Sequence, residues 1–215
     1  MRFSSLVLGT GILASLAGVG HAAVIPIVSD TADGNIYKRP TDSGVTDQSQ
    51  GDLPVGYAYA NQERVVMFVF QLPTLAVGES VTGATFKALQ SASASEFNVD
   101  LYATGVRATT TYAYSTDFGV GPSPSPSPVA GTLIQDNFAT PSTVNGAYVT
   151  TSSTGDAALL SYLNSNYVAG SYLFVRLNAD YSTLPTNGPV YTYASVERAG
   201  GTQAPTLTLH HRHRS

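Results

Sequence analysis

The side chains of this 215-residue chain that could do chemistry are mostly oxygen donors. Asp30, Asp33 and Asn35 fall together in Ser29-Asp30-Thr31-Ala32-Asp33-Gly34-Asn35. Short carboxylate and amide groups so placed have two uses, and both readings stay open. They close an Asx turn by accepting nearby backbone N–H groups, or they give hard oxygen ligands to Ca²⁺, which takes about six to eight oxygens at a flexible site. The spacing departs from that of an EF-hand loop. Glu197 is a fourth candidate ligand, since the first and last strands of a sandwich can lie together and bring it to Asp30 or Asp33. Elsewhere Tyr57, Tyr59 and Tyr102 offer aromatic faces and Asp100 a carboxylate. That pairing stacks on a sugar ring and bonds its hydroxyls. Arg64 reads as structural, bonded or paired at a strand end.

Other chemistries are excluded. The chain has no cysteine and four histidines, of which His21 lies in the N-terminal segment and His210, His211 and His213 in the last six residues. No Ser-His-Asp or Cys-His arrangement forms in a core, and a zinc site of thiolates and imidazoles is ruled out there. Glycine-rich phosphate loops are absent. Two carboxylates about 5–10 Å apart would suffice for glycoside hydrolysis, but with fourteen acids in a small domain such pairs arise by chance. A non-catalytic protein is expected.

Residues 1–22 carry Arg2, an apolar run over 6–17 and Gly20-His21-Ala22, the pattern of a secretory signal peptide cleaved after Ala22. The run is shorter than the roughly 20 residues of a spanning helix, and no later segment could cross a bilayer, so the protein is expected to be secreted and extracellular. Without Arg2 and the two arginines of the tail, seven basic residues face fourteen acidic ones. That balance repels phosphate backbones and anionic lipid, which argues against nucleic-acid and membrane partners. It favours a cation, and Ca²⁺ is the candidate cofactor. With 11% charged residues against about 25% in an average protein, and no disulfide to help, the core must hold the fold.

Elements that would position these groups follow from periodicity. Arg64-Val65-Val66-Met67-Phe68-Val69-Phe70-Gln71-Leu72-Pro73 is a β-branched and aromatic run ended by proline, the mark of a strand covered on both faces. It is expected to be the central strand of a sandwich. Residues 24–28, broken by Pro26, form an edge strand; 38–56 form a long polar surface loop. Residues 97–103 alternate, with Phe97, Val99 and Leu101 inward and Asn98, Asp100 and Tyr102 outward. Residues 112–118 are aromatic but irregular, and 121–128 are a Pro/Ser-rich inserted loop. Strands are expected at 81–89, 129–138, 147–150, 172–178, 190–196 and 206–209. The only helix is expected over 155–164, capped by Thr154. The fold is thus all-β, an antiparallel sandwich with one short helix, forming a single domain over 23–209, followed by a disordered basic tail over 210–215.

The order Gly56, Arg64, Phe68-x-Phe70-x-Leu72-Pro73, Val81-x-x-Ala84-x-Phe86, then Tyr193-Ala194-Ser195-Val196-Glu197-Arg198-Ala199 and Pro205-x-Leu207-x-Leu209 resembles the DNRLRE-type carbohydrate-binding module. That resemblance implies a secreted bacterial β-sandwich of the jelly-roll kind, found alone or appended to polysaccharide-degrading enzymes and cell-surface proteins. Its implied partner is an extracellular or cell-wall polysaccharide, or a cell-surface glycan. A structural or adhesive matrix protein is the alternative, and a small polysaccharide-active enzyme a third.

Overall fold

The computed structural model describes residues 22–38, 45–47, 51–58, 62–92, 96–118, 131–180 and 190–213. Residues 1–21 of the expected signal peptide 1–22, Tyr59, the Pro/Ser-rich loop 121–128 and the last two residues lie outside them. The described strands are β1 (Ala23–Val28), β2 (Gly34–Lys38), β3 (Val45–Asp47), β4 (Asp52–Ala58), β5 (Gln62–Gln71) and β6 (Glu79–Ala92). They continue with β7 (Asn98–Arg107), β8 (Thr132–Ala139), β9 (Ala147–Thr150), β10 (Tyr172–Asp180), β11 (Val190–Ala194) and β12 (Thr206–His213). All pairings are antiparallel.

The register shows how one sheet becomes a sandwich. Met67 of β5 pairs with Gly34 and Arg176, while Arg64 pairs with Tyr37 and Gly56. Strand β2 keeps one edge of β5 from Glu63 to Met67, where both β4 and β10 also pair with β5, so β4 and β10 must share the other edge in succession. Likewise Lys87 of β6 pairs with β12 and β9, and Gln90 with β11 and β9, so β12 and β11 share one edge. The β11–β4 ribbon is therefore a corner joining β1-β12-β6-β9 to β2-β5-β10-β7-β8. Phe86 of β6 meets Phe68 and Phe70 of β5 and Phe138 of β8 across the interior, although β6 has no ladder with either strand. The fold is all-β and sandwich-like.

Strand β5 is central, and its two faces explain its sequence. Val66, Phe68 and Phe70 enter the main core, while Val65, Met67 and Val69 enter a second cluster with Ile36, Phe174, Tyr112 and Phe118. All six β5 side chains are fully buried. A period of two on a strand covered on both sides gives a continuous apolar run. The second cluster is roofed by the segment that the sequence leaves irregular, which forms a one-turn helix, α1 (Tyr114–Asp117). Beneath it Asp117 is buried and paired with Arg107. Burial opposes its ionisation, but Arg107, Thr116 and the Ala113 N–H outweigh this and hold its carboxyl below the ordinary range.

Several boundaries differ from expectation. The polar stretch 38–56 contains β3 and most of β4, with Leu53 and Val55 fully buried. Pro54 is tolerated because β11 takes one edge of β4 and β5 takes the other only at Gly56–Ala58. Gly56, at φ 117°, sits where the two ladders overlap, a conformation that favours glycine. The helix α2 spans Ser153–Asn166, and its cap is Ser152 rather than Thr154, with Oγ accepting from the Gly155 N–H at 3.3 Å. Thr154 lies inside the first turn. We expect Ser152→Ala to lower stability by about 1 kcal/mol, read by chemical denaturation, and Thr154→Ala to change it by less than half of that.

The largest difference is at the C-terminus. The tail expected to be disordered continues β12 as far as His213, paired with β6 down to Glu79. His211 is 7% exposed, so one histidine does enter the protein interior. Strands β1 and β12 pair along their full overlap, from Ala23 with His211 to Val28 with Thr206. The first and last strands thus lie together, as the Glu197 reading requires.

Candidate metal centre

Strands β7 and β10 align Asp100 with Asn178 and Asn98 with Asp180. Residues two apart share a face, so Asp100 and Asp180 are diagonal neighbours on the face that also carries Tyr102 and Arg176. The third carboxylate comes from β8, whose register against β7 slips twice, between Val99 and Leu101 and between Leu101 and Tyr102. The slip places Asp136 and Asn137 opposite Asp100, and Asn137 takes a positive φ of 54°, an uncommon conformation that asparagine tolerates best after glycine. Bulges re-aim side chains, and this one turns the Asn137 N–H onto Asp100 Oδ1 at 2.9 Å.

The result is a group of three carboxylates, Asp100, Asp136 and Asp180, each offering an oxygen within 4.8 Å of the others. It is the one group of three or more Asp, Glu or His ligands among the described residues that meets this spacing. Asp100 is buried, Asp180 half-buried and Asp136 exposed, so the group opens to solvent on one side. Such a set could hold a metal ion. Asp100 was expected to point outward; the bulge accounts for its burial. Burial first, then the charges of Asp180 and Asp136, push its carboxyl up to about 6, against the lowering effect of the Asn137 N–H.

Next to this group lies a buried cation. Arg176 is 1% exposed, donates from Nε to Asn178 Oδ1 at 2.8 Å and from Nη1 to the Asp117 carbonyl at 2.7 Å, and lies over the Tyr102 ring at 5.5 Å. One face of Tyr102 is thereby occupied. Burial and the neighbouring Asp100 raise its hydroxyl pKa. Burial also lowers Arg176 to about 10, which leaves it charged at neutral pH.

The other predicted residues fall elsewhere. Tyr57 stands half-buried on β4, opposite Glu63 of β5. Asp30 forms the Asx turn, with Oδ1 accepting the Ala32 N–H at 3.0 Å and its carbonyl accepting the Asp33 N–H at 3.1 Å. Asp33 is fully buried and accepts from Ser29 Oγ at 2.5 Å, from the Val69 N–H at 2.9 Å and from the Val196 N–H. Glu197 is close enough to raise the Asp33 carboxyl further and accepts from Ser195 Oγ at 2.5 Å. Asn35 is also buried, its amide donating to the carbonyls of Pro54 and Val65. This corner is therefore rich in donors aimed at Asp33. Arg64 bonds Gln62 Oε1 at 2.5 Å and lies over Tyr37 at 4.9 Å. Sequence reasoning missed Asp136 and Asp180, since only the bulge and the β7–β10 register bring them to Asp100.

A separate cleft of about 580 Å³ opens between β1 and the end of β5, lined by Ile27, Ser29, Asp30, Leu72, Pro73 and Gly170. No helix among the described residues is long and apolar enough to cross a membrane. No protein-family model and no curated protein matches the chain.

A pH dependence follows from Asp100. Its carboxyl is raised in the folded state, so its stabilising contribution is complete below the unfolded value of 3.8 and is lost as pH rises through about 6. In buffer free of divalent metal, stability should fall by about 1–3 kcal/mol across that window. Asp100→Asn, which keeps an acceptor for the Asn137 N–H, should flatten the slope and leave the protein more stable than wild type at pH 8. Urea midpoints measured at intervals from pH 4 to 8 check this.

Proposed function

We propose that the chain is a secreted, non-catalytic carbohydrate-binding domain, in the manner of the DNRLRE-type modules that its sequence resembles. In this reading it takes an extracellular polysaccharide at the Asp100–Asp136–Asp180 group through Ca²⁺. One observation carries the reading, the gathering of three carboxylate oxygens within 4.8 Å at a bulge open to solvent. Like charges so close repel, and a hard divalent cation relieves the repulsion. Three carboxylates leave part of its demand for about six to eight oxygens unmet, and water or paired sugar hydroxyls complete it. Tyr102 stands on the same face of β7 as Asp100.

Native gels cast with alginate, cellulose, xylan and pectin test the reading. The protein is expected to be retarded by at least one polymer in CaCl₂, to run freely in EDTA, and to run freely in both as Asp180→Asn. Full mobility in every gel with calcium present would overturn it. At a hundredfold excess over Kd, Ca²⁺ adds about 2.7 kcal/mol, and the melting temperature should rise by roughly 5–10 °C.

A second reading, an assembled matrix or surface protein, is favoured by β1. That strand ends the sheet path and exposes Val24 at 54% and Val28 at 53%. An open edge of this kind pairs readily with another chain. Light scattering across a concentration series selects it if mass grows with concentration and Val28→Lys abolishes the growth.

A further inference from the structure

Strands β1 and β5 turn open backbone edges toward one cleft. Ser29 continues the β1–β12 register opposite Pro205, and its N–H donates to the Pro205 carbonyl at 3.1 Å. In an antiparallel ladder such residues alternate with ones whose N–H and C=O both point the other way. Ile25 and Ile27 therefore face β12 as Ser29 does, while Pro26 and Val28 turn their backbone groups to the open side. The same alternation orders β5. The Leu72 N–H donates to the Ser171 carbonyl at 2.8 Å, in register with the β5–β10 pairing, so Phe70 and Leu72 face β10 while Val69 and Gln71 face away. Strand β2 covers that other edge only as far as Met67.

The two edges meet and then part. Asp30 donates its N–H to the Val69 carbonyl at 2.7 Å, and Asp33 Oδ1 takes the Val69 N–H at 2.9 Å. Among the described residues no ladder joins β1 to β5 beyond that junction. Back along β1 and forward along β5, the chains instead bound the cleft of about 580 Å³, with residues 26–30 on one wall and 71–74 on the other. Val28 and Gln71 each turn a donor and an acceptor to this fork, and Pro26 an acceptor alone, since proline has no N–H. Pro73 closes the ladder on its wall, because its carbonyl already takes the Tyr167 hydroxyl at 2.5 Å.

We propose that this fork takes an extended, neutral or basic peptide segment of another protein as an inserted strand. Alternating donors and acceptors on facing edges are what the backbone of an added strand satisfies. Asp30 is the one charged side chain among the described residues lining the cleft, so a lysine or arginine in the segment is favoured over an acid. A segment of about five residues, at roughly 3.3 Å each, runs the length of such a wall. The lining includes none of Asp100, Asp136 and Asp180, so the site is independent of the glycan reading and needs no metal.

Amide hydrogen exchange in the protein from residue 23 to its end, with acetyl-Thr-Val-Lys-Val-Thr-amide as the probe, tests the proposal. At tenfold excess over Kd the peptide should slow exchange of the Val28 and Gln71 amides about tenfold and leave the Asn137 amide unchanged. The same peptide N-methylated at its lysine loses one backbone bond and should bind about tenfold more weakly. Replacing its lysine by glutamate should also weaken binding, and Asp30→Asn should remove that preference. Val28→Pro deletes a donor that faces only the fork, at an edge where proline is tolerated, and should weaken binding about tenfold. Asp180→Asn should bind as wild type. Equal binding of the N-methylated peptide, or unaltered exchange at Val28 and Gln71, would overturn the proposal. So would protection of Val28 that grows with protein concentration alone, which assigns the edge to a second copy, or protection by xylohexaose and not by the peptide, which assigns the cleft to a sugar.

Discussion

Phe86→Ala is expected to lower stability by about 4–5 kcal/mol, the largest single effect we foresee in the core. Phe86 is fully buried, with its ring 5.7 Å from Phe68, 5.9 Å from Phe70 and 5.5 Å from Phe138. It joins β6 to two strands of the facing layer. Removing a buried phenyl ring costs about 3–5 kcal/mol in transfer and cavity terms, and three lost aromatic contacts place this site at the upper end. At about 2–4 °C per kcal/mol for a domain of this size, the melting temperature should fall by roughly 10–15 °C. Phe86→Leu should cost about a third as much. Phe118→Ala, in the smaller outer cluster, should cost about 2 kcal/mol. If Phe86→Ala and Phe118→Ala prove equal, the two faces of β5 do not divide a main core from a secondary one.

What the sequence made legible follows from how directly each residue's pattern reports its surroundings. The run from Val65 to Phe70 announced a doubly covered strand because every residue in it is apolar, and the strand has a core cluster on each side. Pro26 marked an edge, and β1 is one. By contrast β4 is hidden by Pro54 and Gly56, which normally punctuate strands and are here allowed by staggered pairing. Strand β12 was cut short at Leu209 because the residues beyond are polar, although their backbone continues the ladder to Glu79. The candidate metal group was half legible. Asp100 stood out, but strict alternation placed it outside, and nothing local links it to Asp136 and Asp180. A bulge is a property of two strands together, so a period-two reading of one strand cannot register it.

Asp33→Ala is expected to cost about 3–5 kcal/mol, the second large effect, measured as a loss in unfolding free energy. The side chain is fully buried and receives the Ser29 hydroxyl, the Val69 N–H and the Val196 N–H. It thereby ties the β1–β2 turn to β5 and to the segment after β11. Truncation strands two buried backbone donors, each worth about 1–3 kcal/mol when left unmet. Ser29→Ala removes only one donor and should cost about 1 kcal/mol. Asp33→Asn keeps the shape but turns an amide N–H₂ toward groups that donate, so it should cost about half as much as alanine. Burial, opposed by these donors and reinforced by Glu197, holds the Asp33 carboxyl above 3.8. Its stabilising share is therefore complete below 3.8 and is lost as pH rises through the raised value, so the Asn variant's deficit should be greatest in acid. Calcium separates this role from metal binding. The Ca²⁺-induced rise in melting temperature should survive in Asp33→Asn and vanish in Asp180→Asn. The reverse pattern would move the cation to the corner formed by Asp30, Asp33, Asn35 and Glu197.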